Sequence, residues 1–240
     1  MSHNFAPIDR APAYQKVFEA IQDDILSGRL AEGSTLPTEG ELAEQFGVHR
    51  STVREGIRSL EQAGLVTRGA AKRMYVVRPQ ADEAAERARM GLMLHGVSFL
   101  EVWESLSIIQ PETIRLASSK LSAGDLAALR TAGEALATEQ IADKIVDTAG
   151  AFFQTIAASL DNRVMLVVLQ SLNMLVMSSL ARVIDKLPHA GQRIGEAHLA
   201  MINACADGDG DKAARWMHRH IDDLKRGYDV AGVDLNSQIS

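Results

Sequence analysis

The sequence predicts a mainly α-helical protein in two parts: three short helices closed by a small β-hairpin, then an all-α bundle of six or seven helices. Three observations carry this reading. Apolar residues recur at helical spacing along most of the 240-residue chain, strand-like alternation is confined to one stretch near residue 70, and basic charge is concentrated between residues 50 and 78. That window holds Arg50, Arg54, Arg58, Arg68, Lys72, Arg73 and Arg78 against Glu55 and Glu61, although the whole chain carries a formal charge of −6. One end favours anionic partners and the remainder does not.

The composition, 46% hydrophobic and 23% charged, is that of a soluble globular protein with room for two domains. The start "MSHNFAPIDR" lacks the basic, apolar pattern of a signal peptide, and no stretch is expected to reach the roughly 18 apolar residues of a membrane span. A cytoplasmic protein with no membrane partner is the expectation. Cys205, the single cysteine, excludes an intrachain disulfide and a thiolate zinc cluster within one chain.

Taken in order, "YQKVFEAIQDDILS" (14–27) places Val17, Phe18, Ile21, Ile25 and Leu26 on one helical face before Gly28. Thr38 and Glu41 form a capping-box pattern that starts a helix over "EGELAEQF", and Gly47 ends it. A further helix begins near Ser51 with Val53, Ile57 and Leu60 inward. Two short helices joined by a glycine turn, the second rich in arginine, make a helix-turn-helix; "LVTRGAAKRMYVV" then reads as a hairpin with a basic tip, a wing. The expected division is a winged helix-turn-helix domain over 10–78, a linker over 79–82 at Pro79, and a helical domain over 83–230. Helices are expected over 83–95, 98–120, 123–138, 143–159, 162–185, 192–207 and 210–229, with Ser122 and Asp125 as a cap and "DGDGD" (207–211) as a break.

The chemistry concentrates in the second helix of the pair. Arg50, Ser51, Thr52 and Arg54 fall in its leading turn, the part of a recognition helix that reaches base edges and flanking phosphates in a major groove. Arginine bridges guanine O6 and N7 or pairs with phosphate, and hydroxyls donate to phosphate oxygens. Arg58 is assigned instead to an intrahelical pair with Glu61, three residues on.

Residues 14–78, with "LPTEGELAEQFGVHRSTVREGIRSLEQAGLV" at their heart, resemble the winged helix of GntR-type bacterial transcription regulators. The remainder is similar to the FCD effector domain of their FadR-like subgroup, through "VWESLSIIQPETIRLAS", "LSAGDLAALR", "FFQTIAASLDN" and "EAHLAMINACADGDGDKAARWMHRHI". The resemblance implies a homodimeric, effector-responsive repressor of a pseudo-palindromic double-stranded DNA operator. It implies DNA contacts by Arg50 and Arg54, with His49, Ser51 and Thr52 beside them, Thr38 at the preceding cap, and Lys72 and Arg73 on the wing. Two departures stand out: Gly40 occupies a position where the family commonly has arginine, and "AAKRMYV" replaces a glycine-rich wing, with Ala71 and Arg73 at glycine positions.

Many FCD domains resemble one another in a metal site built from an aspartate, a histidine one helical turn on, and two later histidines. His198 and His220 match the last two, but Ala149 and Phe153 stand at the first two, and Asp147 is two residues out of phase. Leu106 and Gln110 likewise replace an arginine and a glutamate of the family pattern. The expectation is therefore no cofactor, with a weak divalent metal at His198 and His220 as the most a degenerate site offers. The implied effector is apolar or aromatic, met by Leu106, Phe153, Asn173, His198 and His220, with Met174 and Met177 as further apolar candidates. Cys205, seven residues after His198, reads as a small buried residue. The competing readings are a helical metal-dependent hydrolase fused to a DNA-binding domain, which Ala149 and Phe153 disfavour, and an architectural DNA-binding protein without effector.

Overall fold

The structure is a computed structural model that describes residues 12–69, 73–187 and 189–239. The chain forms two compact units, Met1–Gln80 and Ala81–Ser240.

In the first unit α1 (Ala13–Leu26) buries Val17, Ile21 and Ile25, one per turn. Thr38 and Glu41 start α2 (Glu39–Phe46) with a complete capping box, and Gly47 ends it in the left-handed region at φ 63°, where a side chain would be strained. Three residues later α3 (Arg50–Gln62) begins, with Val53, Gly56, Ile57 and Leu60 inward. A Cβ on Gly56 would lie 2.9 Å from Val17 Cγ1 and 3.0 Å from the Tyr14 carbonyl oxygen, so this glycine lets α3 approach α1. The hairpin pairs β1 (Val66–Arg68) with β2 (Met74–Val76) antiparallel, Thr67 facing Tyr75. On its other edge β2 receives the chain before α2: the Leu36 N–H donates to the Met74 carbonyl at 2.9 Å. Val66, Met74 and Val76 thereby join the core built by α1 and α3.

The second unit holds seven helices among the described residues: α4 (Ala81–Leu94), α5 (Phe99–Ala117), α6 (Ala123–Leu136), α7 (Ala142–Ser159), α8 (Arg163–Ile184), α9 (Ala190–Ala206) and α10 (Gly210–Val230). α4 starts at Ala81, so Ala81 and Asp82, expected in a linker, are helical; Asp82 accepts a hydrogen bond from Gln170 Nε2 at 2.9 Å. Ser98 with Glu101 and Ser122 with Asp125 close capping boxes on α5 and α6, and Asp209 caps α10 within the expected break. Helix α10 packs along α5, α9 along α6, and α8 lies between α7 and α4.

The expectation that no stretch is apolar enough to span a membrane is corrected by α8, which passes on length and composition. Its inward face, including Leu169, Leu175 and Val176 together with the polar Gln170, Ser171 and Asn173, is buried within the bundle, while Val164 and Val168 near its start are exposed. Around it lie two apolar clusters, one centred on Phe99, Leu175 and Tyr228, the other on Phe152, Ile156, Met201 and Met217.

Candidate nucleic-acid interface and ligand cavity

At the leading end of α3, His49, Arg50, Ser51 and Arg54 are exposed and Thr52 is half-buried. His49 occupies the N-cap position but makes no side-chain cap bond, which leaves its imidazole uncommitted to the helix. The Thr38 hydroxyl, by contrast, is engaged in the α2 cap: it donates to Glu41 Oε2 at 2.8 Å and accepts from the Glu41 N–H at 3.3 Å. Arg54 is held from the neighbouring helix, its Nε and Nη2 donating to Glu39 Oε2 at 3.1 and 2.8 Å. That hydrogen-bonded guanidinium keeps the Glu39 carboxyl below the usual carboxylate range.

The expected Arg58–Glu61 pair does not form. Glu61 lies 3.8 Å from Arg68 on β1, and no ion pair to Arg58 is found among the described residues. The tertiary neighbour thus displaces the local one, as exposed i,i+3 pairs are worth only a few tenths of a kcal/mol. On the wing Arg73 is exposed, whereas Lys72 and Ala71 lie outside the described residues.

In the helical unit α5, α7, α8, α9 and α10 surround a cavity of about 280 Å³. Leu106, Phe153, Asn173, His220 and Met177 line it, as does Ala149. Gln110 closes the same wall, its Nε2 donating to Asn173 Oδ1 at 3.1 Å across α5 and α8. These two amides are buried, so their bond satisfies groups that would otherwise be costly to desolvate.

His198 departs from its expected place. It does not line the cavity but sits behind it, 1% exposed, its ring stacked on Phe152 at 3.8 Å and edge-on to Phe153 at 5.7 Å. His220 stands between, its ring centre 5.2 Å from that of His198. Burial, and secondarily the neighbouring His220, holds His198 well below the ordinary 6.5, and burial lowers His220 to about 4, so both rings are neutral at pH 7. The His198 Nε2 is buried without a hydrogen-bond partner among the described residues. Met174 also lies outside the lining.

This donor set does not fit a metal ion. Ala149 and Phe153 take the places where a carboxylate and an imidazole would complete the ligation, Asp147 is exposed on another face of α7, and His198 is enclosed by two phenyl rings. Among the described residues no three His, Cys, Asp or Glu side chains gather in a metal-binding group.

At the cavity mouth the sequence reading missed a charged trio. Asp223 of α10 lies between Arg193 of α9, at 3.5 Å, and Arg226, with which it also pairs. The i,i+3 spacing of Asp223 and Arg226 was visible, but the arrival of Arg193 depends on how α9 packs on α10. Cys205 is buried and its thiol is pushed up to about 11 by that burial, which fits a packing residue rather than a reactive thiolate.

Comparison with known proteins gives these sites a family. Residues 13–76 match the family described as bacterial regulatory proteins, gntR family, and residues 101–223 match the FCD domain. Among curated relatives, the uncharacterised HTH-type transcriptional regulator Rv0494 of Mycobacterium tuberculosis is 31% identical over 160 residues, 66% of each chain. The HTH-type transcriptional repressor NanR of Klebsiella aerogenes is 25% identical over 241 residues, covering 96% of this chain and 91% of that one. The match thus spans just under two thirds of the length of Rv0494 but nearly all of NanR. A solved structure titled Streptococcus agalactiae GntR shares the fold at 20% identity, with a TM-score of 0.63 over 89% of this chain and 99% of that one. The winged helix with its arginine-bearing α3 and the helical unit with its cavity are the two matched regions, and the chain belongs to the GntR family of bacterial transcription regulators, with an FCD domain as its second part.

Proposed function

We propose that this chain is a cytoplasmic, homodimeric repressor that reads a pseudo-palindromic operator through α3 and is retuned by a small molecule in the helical cavity. The observation that carries the DNA assignment is the leading turn of α3, where Arg50, Ser51 and Arg54 are exposed immediately after a left-handed glycine turn. Arg50 and Arg54 meet bases or phosphates, His49, Ser51, Thr52 and Thr38 flank them, and Arg73 with Lys72 extends the contact from the wing. Exposed Met90 and Leu94 on α4 and Val164 and Val168 on α8, two helices that pack together, support burial of this side against a second copy. The repressor role is that of the NanR relative.

For the effector, the cavity favours an uncharged, apolar or aromatic molecule bound without metal. Its wall offers aliphatic and phenyl surface, two amides and a neutral imidazole, with the charged side chains confined to the Arg193–Asp223–Arg226 mouth. A carboxylate driven to the Leu106 end would meet no counter-charge, a costly burial. Leu106, Phe153 and Met177 supply the packing, and Gln110, Asn173 and His220 supply polar contact, with His198 acting from behind through His220.

Selection from random duplex DNA with the full chain tests the first assignment: one palindromic motif is expected, lost in Arg54→Ala, and an unaltered motif in that variant would refute it. Calorimetric titration with zinc, nickel and manganese tests the second. Sub-micromolar binding of any of them at one site per chain would contradict a metal-free pocket.

A further inference from the structure

We propose that Glu39 and Gly40, consecutive in the first turn of α2, are positioning residues for DNA recognition: Glu39 holds the Arg54 guanidinium and the missing side chain of Gly40 makes room for that of Arg50. This rests on the assignment of α3 to DNA and goes beyond it, because neither residue belongs to the recognition helix.

Two contacts carry the inference. Glu39 receives two hydrogen bonds from Arg54 on one carboxylate oxygen, at 3.1 and 2.8 Å, and its other oxygen lies 3.3 Å from Arg54 Nε. A fork held this way presents its remaining N–H groups in a fixed direction. One residue on, an ideal Cβ built at Gly40 would lie 3.1 Å from Arg50 Nη2, 3.4 Å from Cζ and 3.6 Å from Nε. Three atoms of one guanidinium thus lie around the position that a Cβ would take. An alanine at residue 40 would require Arg50 Nη2 to give way by a few tenths of an ångström, a longer side chain would compete for the same space, and a cationic one would also repel the guanidinium.

The two arginines, four residues apart on α3, are thereby presented differently. Arg54 is paired with and directed by the Glu39 carboxylate, while Arg50 packs at Gly40, feels the Glu39 charge only through space, and makes no hydrogen bond or ion pair among the described residues. Glu39 contributes a further property: its negative charge at the leading end of α3 opposes indiscriminate attraction to phosphate. Removing that charge strengthens binding to any DNA while loosening the geometry that discriminates between sequences.

The backbone at Gly40 does not require glycine, because it is absent from the residues with positive φ and lies within a helix, where alanine is the better helix former. Gly40→Ala is therefore expected to fold with equal or greater stability, and a specificity change in it cannot be ascribed to unfolding.

The experiment is selection from random duplexes with the full-length chain and its Glu39→Gln, Gly40→Ala, Arg50→Ala and Arg54→Ala variants. Anisotropy titrations of the selected and a scrambled duplex over a salt series follow, with thermal unfolding as the fold control. Gly40→Ala is expected to alter the same base positions as Arg50→Ala. Glu39→Gln is expected to bind scrambled DNA roughly threefold tighter, with a salt slope steeper by about one, while its preference for the selected site falls about tenfold. Wild-type motifs and affinities in Glu39→Gln and Gly40→Ala, alongside defective arginine variants, would overturn this proposal and leave the α3 assignment standing. Unchanged motifs in Arg50→Ala and Arg54→Ala would overturn both.

Discussion

Arg54 and His220 illustrate how single residues acquire their roles from neighbours on other helices. Arg54 sits on an exposed turn, and without Glu39 its long side chain would sample many rotamers; the two-point contact to that carboxylate fixes one of them. Arg54→Ala is expected to lower operator affinity at least about fivefold, the lower bound for loss of a bidentate contact worth about 1–3 kcal/mol, while thermal unfolding and ligand binding stay at wild-type values. His220 is governed by burial instead. Its folded-state pKa of about 4 lies below the ordinary 6.5, so between those values the unfolded chain binds more protons than the folded one. Stability of the helical unit is therefore full above pH 6.5 and falls as the pH is lowered through that window, with His198 adding in the same direction. Calorimetric melting at pH 7 and pH 5 measures this, and His220→Asn is expected to flatten the difference. The reading of the sequence put Arg50 and Arg54 on the leading turn of α3 and Phe153 and His220 at the cavity from their places in motifs, and offered Asn173 without one; the five residues lie on that turn and that cavity wall. It misplaced Arg58 and His198 because pairing with Glu61 and entry to the cavity are decided by long-range packing, of β1 on one side and Phe152 on the other.

At the scale of elements, local chemistry made most helix boundaries legible. Thr38 with Glu41 and Ser122 with Asp125 close the capping boxes their spacing implies, and Gly47 takes the left-handed conformation that ends α2. Where tertiary contact extends an element, the sequence falls short: α4 gains Ala81 and Asp82, the latter tied to Gln170 on α8. The apolar length of α8 was likewise underestimated, since Gln170, Ser171 and Asn173 interrupt its hydropathy only on the face that the bundle buries. Gly56 shows the reverse case, a residue whose importance is invisible until α1 is placed against it. Gly56→Val would force a side chain into Val17 and the Tyr14 carbonyl, and a loss of about 1–3 kcal/mol in the stability of the N-terminal unit is expected from denaturant unfolding. An unchanged midpoint would mean that α1 and α3 are not in close contact.

For the whole molecule, charge is spread unevenly along the chain. Residues 50–78 carry seven basic side chains against two acidic ones, residues 1–49 three against eight and residues 79–240 fifteen against twenty-one, so the net positive charge is confined to the segment that holds α3 and the hairpin. Two copies reading two half-sites are expected, so sedimentation should give a particle of twice the 26.0 kDa chain, and Leu94→Glu with Val164→Glu should return it to monomer. Coupling between ligand and operator is expected to be of the usual allosteric size, about 1–3 kcal/mol. The central claim, that an arginine-bearing α3 reads DNA, is tested most directly by anisotropy titration of the selected operator with wild-type and Arg54→Ala chains across a salt series. The account predicts tight wild-type binding that weakens steeply with salt and a variant that no longer distinguishes operator from scrambled duplex. Equal discrimination by the two chains would contradict it.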